Sequence, residues 1–496
     1  MKPSGVILAI DQGTTGSTVL VMNHAMEILG RATTEFRQIY PQPGYVEHDA
    51  RDIWDSVRTS VIGALQQANT PATEVVAIGI TNQRETTTVW ERATSRPIHH
   101  AIVWQCRRTA PVCEALRAKE LDRVIQAKTG LVVDPYFSGT KLAWILDHVD
   151  GARAAAGRGE LAFGTIDTYL VWQLTGGRTH VTEVSNASRT QLVALETAEW
   201  DDELLNILNV PREVLPEIRS SSEVYGETSG LDFLPNGIPI SGMAGDQQAA
   251  LFGQACFDVG QTKCTYGTGA FVLMNTGHVP PVSANGLLST IAWRLGDGAT
   301  VYALEGSVFI AGAAVQWLRD GLEMLESARE IEQLAKSVPD SGGVVMVPAF
   351  AGLGTPYWNA DARGAIFGLT RGSNRGHLAR ATLEGIAHQV TDVLDAMAND
   401  AGEAIRDLRV DGGAAANDLL LQIQADFTGL EVTRPTHLET TAMGAAFLAG
   451  LGVGFWKSPE ALQAQWRAAA TFRPAVAADR CAGARKAWQE AVNRLL

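Results

Sequence analysis

The sequence predicts an α/β protein of two similar halves that face one cleft. Three observations carry this expectation. An apolar run enters a Gly/Thr turn and leaves as a second apolar run at 6–22, and the pattern returns at 261–275. Between and after these, short apolar runs alternate with helical periodicity and Gly/Pro breaks, as an α/β chain does. At 496 residues the chain is also too long for a single core, so two or three domains are expected.

The elements follow in chain order. Short apolar runs bounded by Gly and Thr are hairpin signals, which makes 6–22 and 261–275 hairpins. Their turns bare backbone N–H groups and hydroxyls, suited to a phosphate chain. A single such turn is usually only a turn. Repetition gives it weight, because two half-chains would then offer one loop each to the same nucleotide. A strand at Val75–Ile80 runs into Asn82-Gln83-Arg84-Glu85, and a short run at Ala101–Trp104 ends in Gln105-Cys106-Arg107-Arg108. A strand at Ile238–Ser241 meets Gly245-Asp246-Gln247-Gln248 and opens a helix over Ala249–Phe252, which puts a domain boundary near Gly253 and domains at 1–253 and 254–496. A long amphipathic helix over Leu378–Met397 carries Leu383, Ile386, Ala387, Val390, Val393, Leu394 and Met397 on one face. A strand at Leu408–Val410, the turn Asp411–Asn417 and a helix through Phe427 come next. The apolar stretch Ala442–Trp456 is Gly-rich and short for a bilayer, so it reads as buried helix and loop. The tail from Ala468 reads as a surface helix.

Composition narrows the function. The chain is 46% apolar and 19% charged, an ordinary globular balance. A net charge of −14 argues against nucleic acid or an anionic membrane as partner. The five cysteines form no C-x-x-C pair and fit reduced thiols in a cytosol. With no basic-then-apolar leader, a cytoplasmic location without membrane insertion is expected.

The common nucleotide signatures are missing: no Gly-x-x-x-x-Gly-Lys-Ser/Thr loop, no Gly-x-Gly-x-x-Gly, no His-Arg-Asp loop. ATP would therefore be held by the two hairpins and a third element. Asp411-Gly412-Gly413 fits that part, since glycines admit close backbone approach and Asn417 can hydrogen-bond a purine or ribose. The plainer alternative is a tight turn with Asn417 as helix N-cap.

These segments resemble a known family. Asp11-Gln12-Gly13-Thr14-Thr15, Asn82–Thr86, Trp104–Arg108, Gly245–Gly253, Tyr266–Phe271, Glu305-Gly306-Ser307-Val308, Gln316–Asp320 and Asp411–Ala414 are similar to the FGGY carbohydrate kinases, in their glycerol kinase branch. Tyr136–Trp144 and Gly364–Gly372 match the two family signatures, and the resemblance runs from about Val6 to Trp456. It implies two RNase H-like domains of the actin-like ATPase fold closing on a central cleft. It also implies ATP-dependent phosphorylation of glycerol to sn-glycerol 3-phosphate, the first step of glycerol catabolism, with Mg²⁺.

Residue by residue, the resemblance makes Asp246 the base that accepts the hydroxyl proton. A carboxylate at a helix start is a weak base, which suits a loose phosphoryl transition state. Its plainer alternative is an N-cap. Arg84, Glu85, Trp104, Tyr136, Asp246, Gln247 and Phe271 would contact glycerol, with Arg84-Glu85 as polar fork and the aromatics as walls. The alternatives are a surface ion pair and ordinary core residues. Thr14, Thr15, Gly16, Thr18, Gly267, Thr268, Gly312, Gln316, Gly413 and Asn417 fall on nucleotide positions. Asp11 would hold Mg²⁺ or its waters, unless it only shapes the turn. Arg107 and Arg108 are expected as structural ion-pair formers, and a homo-oligomer is expected. Thr18 departs from the family's phosphate-contacting Arg. The loop 234–237 lacks the Arg that binds an inhibitory sugar bisphosphate in some members, and 220–225 lacks a phosphorylated His, so neither regulation is expected. Three alternatives stay open: another FGGY kinase acting on a pentulose, gluconate or longer polyol, a non-catalytic actin-like ATP-binding module, and a degenerate kinase, hinted at by Thr18.

Overall fold

The computed structural model describes residues 5–496. Both hairpins form, as Val6–Gln12 with Gly16–Met22 and as Gln261–Tyr266 with Ala270–Gly277. Each sits at the centre of a mixed sheet. The first sheet has the order Ser222–Glu227, Pro239–Gly245, Val75–Asn82, Val6–Gln12, Gly16–Met22, Ile28–Glu35. The second has the order Ala468–Phe472, Val432–Pro435, Asp407–Asp411, Gln261–Tyr266, Ala270–Gly277, Val301–Val308, and adds Leu288–Trp293 at its edge.

The two orders agree strand for strand. In each sheet the hairpin is antiparallel, and its second strand pairs antiparallel with the next. Its first strand pairs parallel with Val75–Asn82 or Asp407–Asp411, and these pair parallel with Pro239–Gly245 or Val432–Pro435. An antiparallel strand closes that side of each. The repetition read from two turns thus extends over six strands, giving two RNase H-like sheets. Only the closing strand differs in chain position, entering before its partner in the first half and after it in the second.

The halves share a core. Helix Thr440–Gly452, late in the chain, packs Ala445, Phe447 and Leu448 against Ile7, Ala9, Leu20 and Ala77 of the first sheet. It crosses helix Asp246–Gly253 so closely that a Cβ on Gly444 would lie 1.9 Å from the Ala249 carbonyl oxygen. A Cβ on Gly253 would likewise meet the Thr440 oxygen at 1.9 Å. This buried helix is the Gly-rich apolar stretch, and among the described residues no helix is long and apolar enough to cross a membrane.

The long helix spans Arg375–Ala401, capped by Asn374 and ended by Gly402 in the left-handed region at φ 63°. The expected apolar face is buried in the second core. The tail departs from expectation. Ala468–Phe472 is a strand, because the edge strand Val432–Pro435 offers it a pairing that local propensity does not announce. The following helix, Ala478–Asn493, buries Trp488, Ala491 and Val492 against Val347, Ala349 and Leu353. All five cysteines are buried and unpaired. Residues 83–221, between the strands Val75–Asn82 and Ser222–Glu227 of the first sheet, build a further lobe around Val89, Ile102, Leu142, Ile145 and Phe163. This lobe brings Trp104, Tyr136 and Arg189 to the cleft.

Candidate active site

The site starts where Val75–Asn82 ends. There the chain turns through Arg84 and Glu85, both under 4% exposed, so they are no surface pair. Glu85 holds a left-handed φ of 59°, which a non-glycine residue keeps only under constraint. The constraint is visible: its carbonyl accepts from Ser138 Oγ at 3.1 Å, Thr87 Oγ1 at 3.1 Å and Lys141 Nζ at 3.4 Å. Lys141, pushed down to about 7 by burial, also donates to the carbonyls of Tyr136 and Phe137.

Arg84 is the hub. Its Nε lies 3.1 Å from Asp246 Oδ1, its Nη2 donates to Tyr136 Oη at 3.4 Å, and its Nη1 and Nη2 grip Glu305 at 2.5 and 2.9 Å. Glu305, from the second sheet, also accepts from Arg189 at 3.1 Å, and Arg189 Nε donates to Glu85 at 2.7 Å. Four buried charges thus alternate in sign across the two halves. Burial alone would raise both glutamates. Two flanking guanidiniums overcome it at Glu305 and hold it down to about 2, whereas burial prevails at Glu85 and keeps it above the usual carboxylate range.

Asp246 is the first residue of its helix, with Gly245 at the N-cap position. Its Oδ1 accepts from the Gln247 N–H at 2.7 Å, and its side chain stays 32% exposed, the one charged group here open to the cleft. Trp104 and Tyr136 meet edge to face with centroids 5.6 Å apart, and Trp104 Nε1 donates to Thr14 Oγ1 at 3.0 Å. The aromatic wall is therefore bonded to the first hairpin loop. Phe271 enters from the second half, half-buried, and its carbonyl accepts from the buried Lys263 at 3.4 Å.

In the first loop Thr14, Thr15 and Gly16 lie open or half-open. Thr18 stands directly across from Asp11 in the hairpin, and its hydroxyl bonds Thr33 Oγ1 at 2.9 Å. In the second loop Gly267 and Thr268 are exposed, and the helix holding Gly312 and Gln316 starts on the Gly267 and Thr268 carbonyls. Gly412, at φ 85°, brings the turn so near the second hairpin that a Cβ would meet the Tyr266 carbonyl oxygen at 2.5 Å. Gly413 beside it is exposed with open space where a Cβ would be. Asn417 does cap helix Asp418–Thr428, accepting from Leu420 N–H at 2.9 Å. Arg108 pairs with Glu47 at 2.6 Å and Arg107 with Asp134 at 2.7 Å, the structural roles expected of them.

Asp11 is the last residue but one of the first hairpin strand. Burial, with the charge of Asp246 and then Glu439, pushes its carboxyl up to about 8, with Arg31 acting against them. A carboxylate so placed has the chemistry to bind a divalent cation, which would share it with waters and phosphate oxygens. Among the described residues no group of three His, Cys, Asp or Glu could enclose a metal.

Sequence reasoning did not single out Glu305, Arg189 or Lys263. Glu305 carried one signal, a charge in the mainly apolar run Val301–Val308, whereas Arg189 and Lys263 stand among polar residues and carried none.

Comparison with known proteins gives one answer over the whole chain. The FGGY family of carbohydrate kinases matches by its N-terminal domain over residues 6–253 and by its C-terminal domain over 262–453. The glycerol kinase of Halalkalibacterium halodurans is 57% identical over 487 residues, 98% of each chain. That of Myxococcus xanthus is 55% identical over 495 residues, 100% of each. The crystal structure of Plasmodium falciparum glycerol kinase with ADP superposes with a TM-score of 0.94 at 35% identity, covering 99% of this chain and 98% of that one.

Proposed function

The chain belongs to the FGGY family of carbohydrate kinases, and we propose that it transfers the terminal phosphoryl group of ATP to glycerol. The products are sn-glycerol 3-phosphate and ADP. One observation carries the geometry: Asp246, open to the cleft and 3.1 Å from Arg84, stands in a pocket whose Trp104 is bonded to the first hairpin loop. A proton acceptor, a polyol-sized polar fork and a phosphate loop then meet in one place.

The chemistry asks for little covalent help. Phosphoryl transfer proceeds through a loose transition state, so positioning and charge do most of the work. Arg84 orients Asp246 and a glycerol hydroxyl together, while Trp104, Tyr136 and Phe271 cover the C–H faces. Asp246 takes the hydroxyl proton as the oxygen reaches phosphorus. Thr14, Thr15 and Gly16 from the first half, with Gly267 and Thr268 from the second, line the phosphate path. Thr18 sits behind that loop. Gly312, Gln316, Gly413 and Asn417 border the adenosine. Mg²⁺ on Asp11 would neutralise phosphate charge. Closing the halves excludes water and guards against plain ATP hydrolysis. Domains at 1–253 and 254–496, a cytoplasmic location and a homo-oligomer complete the proposal.

The test is ADP release with Mg-ATP, with and without glycerol, beside xylulose, ribulose and gluconate. Glycerol-dependent release with little from the others is the expected result. Release that ignores every polyol overturns the proposal.

A further inference from the structure

We propose that Lys263 is a positioning residue for the polyol, fixing Gln247 from the first half and Phe271 from the second. The proposal rests on reading those two residues as glycerol contacts. Lys263 lies mid-strand in Gln261–Tyr266, where Cys264 and Tyr266 face the second core and Lys263, with Thr265, faces the opposite way. It is fully buried. Its ammonium donates to Gln247 Oε1, to Thr265 Oγ1 at 2.9 Å and to the Phe271 carbonyl at 3.4 Å. An ammonium has three N–H donors, and all three are committed to these acceptors. Lys263 therefore has no proton left for a phosphate or a substrate, and its influence passes through the groups it holds.

The consequence is clearest at Gln247. Its side chain is 8% exposed, and the hydrogen bond from Lys263 takes its carbonyl end. The Nε2–H₂ end is thereby directed away from Lys263, and it makes no hydrogen bond among the described residues. An amide donor beside Asp246 that keeps a narrow exposure and has no protein partner among the described residues is left for an acceptor that arrives with the substrate. Lys263 thus fixes the sign of the contact: Gln247 presents a donor to a glycerol oxygen. Without the lysine the amide is free to turn over and present its carbonyl instead.

Three variants test this in the full chain. Lys263→Met keeps the reach and removes the donors. It is expected to raise the glycerol KM about tenfold or more, with the ATP KM changed less than threefold. In a Gln247→Ala background the same substitution is expected to raise the glycerol KM about threefold or less, the part that passes through Phe271. Gln247→Glu, which keeps an acceptor for Lys263 but loses the N–H, is expected to raise the glycerol KM to a similar degree at unchanged melting temperature. It decides the matter even if Lys263→Met does not fold. An unchanged glycerol KM in Gln247→Glu overturns the proposal. So does an equal rise of both KM values in Lys263→Met, and so does a full Lys263→Met effect in the Gln247→Ala background. Each of these presupposes glycerol-dependent ADP release by the unaltered chain, whose absence sinks the kinase reading itself.

Discussion

The two hairpin loops hold equivalent places in sheets of one strand order, yet different chemistry braces them. The first is held by backbone bonds, from Gly13 N–H to the Gly16 carbonyl at 2.9 Å and from Phe36 N–H to that of Thr15 at 3.2 Å, and by side chains in addition. Gln83 Nε2 donates to the Gly13 carbonyl at 3.2 Å, Gln38 Nε2 to that of Thr14 at 3.1 Å, and Trp104 to the Thr14 hydroxyl at 3.0 Å. Backbone holds the second. Gly267 N–H donates to the Gly269 carbonyl at 2.8 Å, and the N–H groups of Ala311, Gly312 and Ala313 donate to the Thr268 and Gly267 carbonyls within 3.0 Å. Backbone pairs neither titrate nor report on a pocket, so the second loop is a fixed cradle. The first is wired through Trp104 to the aromatic pair it forms with Tyr136 and through Gln38 to the imidazole of His48. A duplicated sheet sets where a loop stands, and the residues packed behind it decide what it senses.

The largest expected effect separates the two sides. Asp246→Asn leaves the second loop untouched and is expected to lower kcat by about 10²–10⁴, the range for losing a positioned acid or base. ADP binding measured by calorimetry is expected to stay within twofold. Turnover within a few-fold of the parent would exclude Asp246 as the base. Next comes the charge network that joins the halves. Arg189→Met strands Glu85, whose other cation Arg84 lies 3.9 Å away, and leaves Glu305 to Arg84 alone; breaking a buried ion pair from one side costs about 3–5 kcal/mol. Urea unfolding reads this directly, and a loss under 1 kcal/mol would show the network to be dispensable. Gly444→Ala tests the shared core. A methyl 1.9 Å from the Ala249 oxygen forces the two crossing helices apart, at about 1–3 kcal/mol for overpacking. An unchanged melting temperature would mean that the helices slide freely.

What could be read from the chain divides along the same line. The hairpins, the long helix Arg375–Ala401 and the buried helix Thr440–Gly452 announce themselves through local periodicity, turn residues and composition. The strand at Ala468–Phe472 does not, since three alanines carry no strand signal and the pairing comes from Val432–Pro435, over thirty residues earlier. The site behaves alike. Arg84, Glu85 and Asp246 sit in recognisable segments, but the burial that distinguishes Arg84-Glu85 from a surface pair is set by Glu305 and Arg189, more than a hundred residues away. Lys263 stands in a strand of Gln, Thr, Cys and Tyr, where a lysine draws no notice until its partners are known. Local patterns specify where the loops are, and long-range packing specifies which charges survive behind them.

The smallest expected effect falls on the first loop's titratable brace. His48 is fully buried, its ring within 2.8 Å of Gln38 and edge-on to Phe36 at 5.0 Å, and burial pushes its pKa down to about 4. An imidazole held neutral in the folded state binds its proton first in the unfolded chain, near the ordinary value of about 6.5. Between those two values the unfolded state carries the extra proton, so stability falls as pH falls. The full contribution is present above about pH 6.5 and is lost once pH drops through about 4. His48→Gln removes the titration and retains a polar partner for Gln38. Its melting temperature is therefore expected to fall less between pH 7 and pH 5 than that of the parent, by the equivalent of about 1–2 kcal/mol. The second loop, held by backbone alone, supplies the internal reference: ADP affinity over the same interval is expected to move alike in both proteins. Identical pH slopes of melting would mean that protonated His48 is tolerated in place, and that the side-chain brace is no more sensitive than the backbone one.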